Sequence, residues 1–203
     1  MAEYRYKTMD VAYPGPFREI SKKDATIAFH ATMLEKSWRV NYFLKFLSDN
    51  SNLHLSLQSS FLELDPLPEI ITSLGGRRPS TAADEQVAFE NVPKQFREYM
   101  RETLPRWEST TESLLMAFDA GLFWGDLFIG KYPVAKWAIG GGGKLSFDYQ
   151  WPVIIGEANR KMEFNPVREM HEFIQNMANG RISKWTLSSI STARARGLHL
   201  VAN

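Results

Sequence analysis

No cysteine occurs among the 203 residues. That removes disulfides, thiol nucleophiles, zinc–thiolate sites and iron–sulfur clusters together. It fits a cytoplasmic protein, although cysteine-free chains also work in the periplasm. Histidine is scarce. His30, His54, His171 and His199 are scattered, with no His-x-x-x-His pair and no metal-ligand spacing. Neither a metal nor a cofactor is therefore expected. No Gly-x-Ser-x-Gly elbow is present for a serine nucleophile. Long apolar runs are missing too. The longest cluster, Leu122–Ile129, is broken by Gly125 and Asp126, short of the ~18–20 residues of a membrane span. The opening MAEYRYKTMD carries charge where an export signal needs an apolar core, so a cytoplasmic location is expected.

An excess of one charge is also lacking: the net charge is +1. Its distribution is uneven, at +2 over residues 1–60, −5 over 61–120 and +4 over 121–203. Ordinary solvated helix faces account for this, and an acidic middle with a basic end is the alternative. What is present is the material of a globular domain. Hydrophobic residues make up 44% and charged residues 23%, enough to bury a core without cross-links.

The organising stretch is Ala117–Ile139, which reads as a helix carrying Gly121 and Gly125 that feeds a strand centred on Trp137. Before it, residues 3–8 alternate weakly, as a short edge strand does, and YPGPF (13–17) is a loop. Ser21 is a candidate N-cap with Asp24 three residues on. A helix of about six turns follows to Ser48, with Ile27, Ala31, Leu34, Trp38, Tyr42 and Leu47, and Phe43 and Phe46 alongside, expected on one broad buried face. Leu53, Leu55 and Leu57 suggest a half-buried strand. Ser59 or Ser60 is a candidate cap for a short helix through Leu64; Pro66 and Pro68 interrupt it or restart it at Leu67, with Glu69–Leu74 continuing to Gly75-Gly76. RRPSTAAD (77–84) reads as a linker or mobile loop, Glu85–Glu90 is a candidate helix up to Pro93, and Lys94–Tyr99 begins another helix that Pro105 restarts. Val134–Ile139 and Leu145–Tyr149 flank Gly140–Gly143 as a glycine-rich hairpin. Trp151–Ile155 is the third strand. Asn165-Pro166 starts a helix that Asn179-Gly180 stops, and Ser183 is a candidate cap for a last helix to Gly197.

The expected fold is α+β. N-terminal helices pack on a C-terminal three-stranded antiparallel meander flanked by helices, all in one domain over 1–203. Within it, 1–76 is a helical part, 77–93 a loop region and 94–203 the helix–meander–helix part.

The segment 114–181 resembles a family of bacterial domains of unknown function. The resemblance is carried by Gly121, Gly125 and Asp126 in a Gly-x-x-x-Gly-Asp pattern, then Trp137, Asn165-Pro166 and Gly180. LHLSLQSSFLEL (53–64) looks like the strand and serine-capped helix that precede this unit in such proteins. The chain departs from the family in its glycine-rich hairpin and in lacking a Lys-Arg pair on the proline-started helix. Some members resemble toxin-neutralising immunity proteins, which implies a protein partner such as a toxin domain.

Several features carry competing readings. A helical glycine costs about 1 kcal/mol relative to alanine, so Gly121 and Gly125 on one face mark close backbone packing or the approach of a ligand. Asp126 beside them is expected to be buried, either as a structural carboxylate or as a catalytic one with Glu157 or Glu163. GGGGK (140–144) is not a phosphate loop, because position 138 is alanine and Leu145 follows the lysine. It is a hairpin tip, with Lys144 available to a partner. Tyr149 and Trp151, expected on one strand face, and Trp185 are candidate partner anchors. The basic residues Arg181, Lys184, Arg194 and Arg196 around Trp185 raise nucleic acid as a partner, but no binding motif accompanies them.

The sequence thus points first to a non-enzymatic binding protein of the immunity type. The alternatives are a small-ligand-binding protein or hydrolytic enzyme with a pocket near Asp126, and an oligomeric structural or mobile-element protein.

Overall fold

The computed structural model describes residues 6, 20–89, 93–101, 104–141, 143–144, 146–157, 162–181 and 184–201. Helix α1 spans Lys22–Asn50 and starts where Ser21 Oγ accepts the amide of Asp24 at 3.1 Å. A single 3-10 turn, Phe61–Leu64, is closed by a reciprocal Ser60–Glu63 capping box. Helix α2 (Leu67–Gly75) leads into strand β1 (Arg77–Pro79). Helices α3 (Ala82–Phe89) and α4 (Lys94–Arg101) and strand β2 (Trp107–Ser109) follow. Helix α5 (Thr111–Lys131) is capped by Thr110 and feeds strand β3 (Lys136–Ile139). Strands β4 (Pro152–Ile155) and β5 (Glu163–Phe164) precede helices α6 (Pro166–Ala178) and α7 (Leu187–Gly197).

The fold is α+β. Helix α5 is its axis, buried almost all round from Met116 to Phe128, as expected of a helix apolar on every face. It is long and apolar enough to cross a membrane, as the core helix of a globular domain also can be, and 72% of its apolar window is buried inside the protein. It packs against α6, α1 and α2. Trp124 lies at the centre with no exposure, its indole N–H donating to Ser191 Oγ of α7 at 2.8 Å. At the far end, Asp65 caps α7 by accepting the Ser188 amide and hydroxyl, each at 2.8 Å.

A three-stranded antiparallel meander, β3-β4-β5, covers one flank, pairing Trp137 with Ile154 and Ile154 with Phe164. Of the three strands expected, Val134–Ile139 and Trp151–Ile155 appear as β3 and β4, whereas Leu145–Tyr149 does not form a strand over its described residues. Residues 146–150 form turns, and the true partner of β4 is Glu163–Phe164. Gly140 permits this arrangement: the Asp148 carbonyl oxygen stands 1.9 Å from where its Cβ would be, an approach that a side chain would block. Gln150, at φ 66°, completes the reversal and donates to the Ile20 carbonyl at 3.1 Å.

Other expectations are corrected. Leu53–Ser56 carries no regular structure and Leu57 lies in a turn, so the expected strand does not form. Within the region 77–93 expected as a loop, Arg77–Pro79 (β1) pairs antiparallel with β2 and Ala82–Phe89 is helix α3. Trp107 belongs to β2 rather than to a helix, and Thr186 caps α7 through the Ser189 amide. The strand at 3–8 and the loop at 13–17 lie outside the described residues except for Tyr6, as does Ser183.

The largest correction concerns α1. Ala25, Thr32, Arg39, Val40, Phe43 and Leu47 face the core. Ile27 (58% exposed), Leu34 (86%) and Trp38 (52%) point away from it. At ~100° per residue the two sets lie on opposite sides of the helix. The orientation brings Arg39 to Asp119 and Lys36 to Asp126, both on α5.

Candidate functional site

The joint between α5, α6 and the meander is built on two glycines. A Cβ on Gly121 would stand 2.5 Å from Val167 Cα, and one on Gly125 would stand 2.1 Å from Trp137 Cζ2 and 3.2 Å from Pro166 Cγ. Both are below any tolerable contact, so the first turn of α6 and the Trp137 indole lie directly on the α5 backbone. Asn165 sets that first turn by accepting the Arg168 amide at 3.0 Å, and Pro166 follows at the position where no amide is needed.

Asp126 stands at the rim of this joint rather than in the core. Its Oδ1 accepts the Trp137 indole N–H at 2.9 Å and pairs with Lys36 Nζ. The lysine lies 5.7 Å from the Trp137 ring. Asp126 thereby ties α1, α5 and β3 together, and its side chain keeps 18% exposure. Glu157 is exposed, and Glu163 accepts the Gly141 amide at 2.7 Å. The three carboxylates do not converge.

The buried carboxylate of α5 is Asp119, two turns before Asp126. Its oxygens are taken by Arg39 Nε at 2.5 Å and by the Tyr6 hydroxyl at 2.7 Å. Burial pushes the Asp119 carboxyl up, against the opposing pull of the Arg39 guanidinium and the Tyr6 hydroxyl. Burial first, and then the Asp119 charge, push the Tyr6 phenol upward as well. Tyr6 packs against Tyr42 and Phe46. The sequence signal for this network was an aspartate inside an apolar helix and an arginine in the Thr32–Val40–Phe43 face of α1.

The candidate partner anchors separate. Tyr149 is buried at 7% exposure, and Trp151 is half-buried against the core. Neither lies on a strand, so they share no strand face. Lys144 is exposed in the turn after Gly143, and Trp185 is 62% exposed ahead of α7. Of the basic residues near Trp185, Arg194 pairs with Glu169 and lies 6.0 Å from the Phe164 ring, which leaves it a structural part. His171 is half-buried on α6 and bonded to the Leu114 carbonyl at 3.0 Å, and burial lowers its basicity. Among the described residues no group of three His, Asp or Glu side chains is placed to hold a metal.

The surface feature that sequence reasoning misplaced is the outer face of α1. Ile27, Ala31, Leu34 and Trp38 are all exposed, at spacings of four, three and four, so they form one continuous apolar seam. Trp38 is held flat by stacking on Tyr42, with centroids 5.4 Å apart and planes 5° from parallel. Among the surface cavities formed by the described residues, one of about 580 Å³ lies between the ends of α2 and α6, and another of about 300 Å³ lies beside Asp84 and Glu108. Asp126 lines neither. No protein-family model, curated protein or solved structure matches this chain.

Proposed function

We propose that this is a non-enzymatic binding protein of the bacterial cytoplasm, of the immunity kind, which blocks a cognate toxin domain by covering its active site. The observation that carries the reading is the outer seam of α1. An exposed tryptophan and two exposed aliphatic side chains in register on one helix face are the composition of an interface centre. Trp38 is the anchor, pre-oriented by Tyr42, so little side-chain freedom is lost on docking. Leu34, the most exposed of the three, sits one turn before it. The resemblance of residues 114–181 to immunity-like domains supports the same reading. So does the ion-paired joint, which gives α1 a stiff base. Lys144 and Trp185 serve as secondary contacts at most.

The test is co-expression with the product of the neighbouring gene. Relief of growth arrest by the wild-type chain, lost in Leu34→Glu and Trp38→Ala variants that keep their melting temperature, is the expected result. Full relief by both variants would remove α1 from the interface. No relief by the wild type would remove the immunity reading. The competing occupant of the seam is a second copy of the chain, which light scattering reveals as a dimer that Leu34→Glu dissociates.

A further inference from the structure

Away from α1, the cavity of about 580 Å³ lies where α2, β1 and α6 meet, lined by Glu69, Thr72, Arg77, Met177, Gly180 and Arg181 among others. Small-molecule sites occupy about 300–1,000 Å³. Two glycines help to leave it open. Gly76, at φ 79°, caps α2, and Gly180, at φ 67°, turns the chain out of α6. A Cβ on Gly180 would meet nothing within 4 Å.

Helix C-termini ordinarily disfavour anions, but the terminal carbonyls here already have donors. The Gly75 and Gly76 carbonyls accept the Thr110 hydroxyl at 2.5 Å and the Ser113 hydroxyl at 2.8 Å. On α6, the Asn176 carbonyl accepts the Arg181 amide and the Met177 carbonyl the Gly180 amide, each at 2.9 Å. The Ala178 carbonyl accepts Arg77 Nη1 at 2.8 Å. What remains is two guanidinium groups against one carboxylate, Glu69. Among the described residues neither arginine is in an ion pair. Arg77 is also fixed in place, lying 4.4 Å over the Trp107 ring. A planar fork held in this way presents its free N–H groups to a carboxylate at little entropic cost.

We propose that this cavity binds a monocarboxylate with a short apolar body, its carboxylate on Arg77 and Arg181 and its body against Met177. Glu69 limits the charge accepted: a second negative charge on the ligand meets it unpaired, so phosphate and dicarboxylates are disfavoured. A free carboxylic acid and the C-terminus of a polypeptide ending in an apolar residue offer the same chemistry.

Isothermal titration of the full chain with hexanoate, N-acetyl-alanyl-leucine, hexylamine and inorganic phosphate tests the proposal. Saturable binding of at least one carboxylate, with a Kd of about 1 mM or tighter, is expected, with no binding of hexylamine or phosphate. Binding by hexanoate alone identifies a free acid, and binding by the peptide alone identifies a chain terminus. Arg181→Ala weakens the carboxylate about tenfold at an unchanged melting temperature, and Glu69→Gln tightens it and admits phosphate. Absence of carboxylate binding would overturn the proposal, as would equal binding of hexylamine or an Arg181→Ala affinity equal to wild type.

Discussion

Gly125 and Trp137 are in direct contact: the indole edge lies where a Cβ on Gly125 would be, 2.1 Å from it. The contact brings β3 onto the α5 backbone and places the indole N–H on Asp126. Alanine at either joint glycine therefore gains about 1 kcal/mol of helix propensity but introduces a clash costing ~1–3 kcal/mol or more. Gly125→Ala and Gly121→Ala should both lower the melting temperature, Gly121→Ala more, because its neighbour is backbone and cannot rotate away. Gly130→Ala is the control. Nothing lies within 4 Å of its Cβ, so it should stabilise by about 0.5–1 kcal/mol. Thermal unfolding of the three variants decides the matter.

The Tyr6–Asp119–Arg39 network carries a second prediction. Tyr6→Phe keeps the ring packing on Tyr42 and Phe46 and removes one donor from a buried carboxylate. It should cost about 1–3 kcal/mol. Arg39→Met costs more, about 3–5 kcal/mol, because it leaves Asp119 charged and unpaired. Arg39→Met combined with Asp119→Leu should recover part of that loss. Urea unfolding of the single and double variants measures each term.

Much of this architecture was legible in advance, and the misses have a common cause. Ser21, Asn165-Pro166, Gly180 and the glycines of α5 carry local rules, a cap or a steric requirement, and the elements they mark appear where expected. The face of α1 obeys no local rule. The helix is apolar on two opposite sides, and the inward side is the one whose Val40, Phe43 and Leu47 enter the core while Arg39 and Lys36 pair with carboxylates of α5. Likewise, Leu145, Phe147 and Tyr149 alternate as a strand does, but residues 147–150 turn back with Asp148 lying against Gly140, a long-range contact that the alternation does not reveal. Asp126 was expected to be buried because it neighbours the joint. Its place at the rim depends on Lys36, ninety residues away in sequence.

His171 makes stability depend on pH. Burial lowers its pKa below the ordinary 6.5, so the unfolded chain binds a proton more readily than the folded one. The contribution is complete above pH 6.5 and is lost as pH falls from there through the folded value. His171→Gln should flatten the melting-temperature profile in that window. An unchanged profile would show that the proton is taken up elsewhere.

Ser109 is the one buried side chain whose polar atom lacks a partner among the described residues. Its amide is nevertheless held by Gln175 Oε1 at 3.1 Å. Ser109→Ala removes an unsatisfied hydroxyl and leaves the backbone bond in place. It should stabilise the fold by about 1 kcal/mol, read as a higher urea midpoint with unchanged slope.

The outer seam of α1 is the centre of the functional account, and Leu34→Glu is the sharpest probe of it. Leu34 is 86% exposed, so a charge there leaves the fold alone and places an unpaired carboxylate in any interface that covers it. Calorimetric titration of the neighbouring gene's product into wild-type and Leu34→Glu chains makes the measurement. The account predicts tight binding by the wild type and at least ~100-fold weaker binding by the variant at the same melting temperature. Equal affinities for the two chains would contradict it.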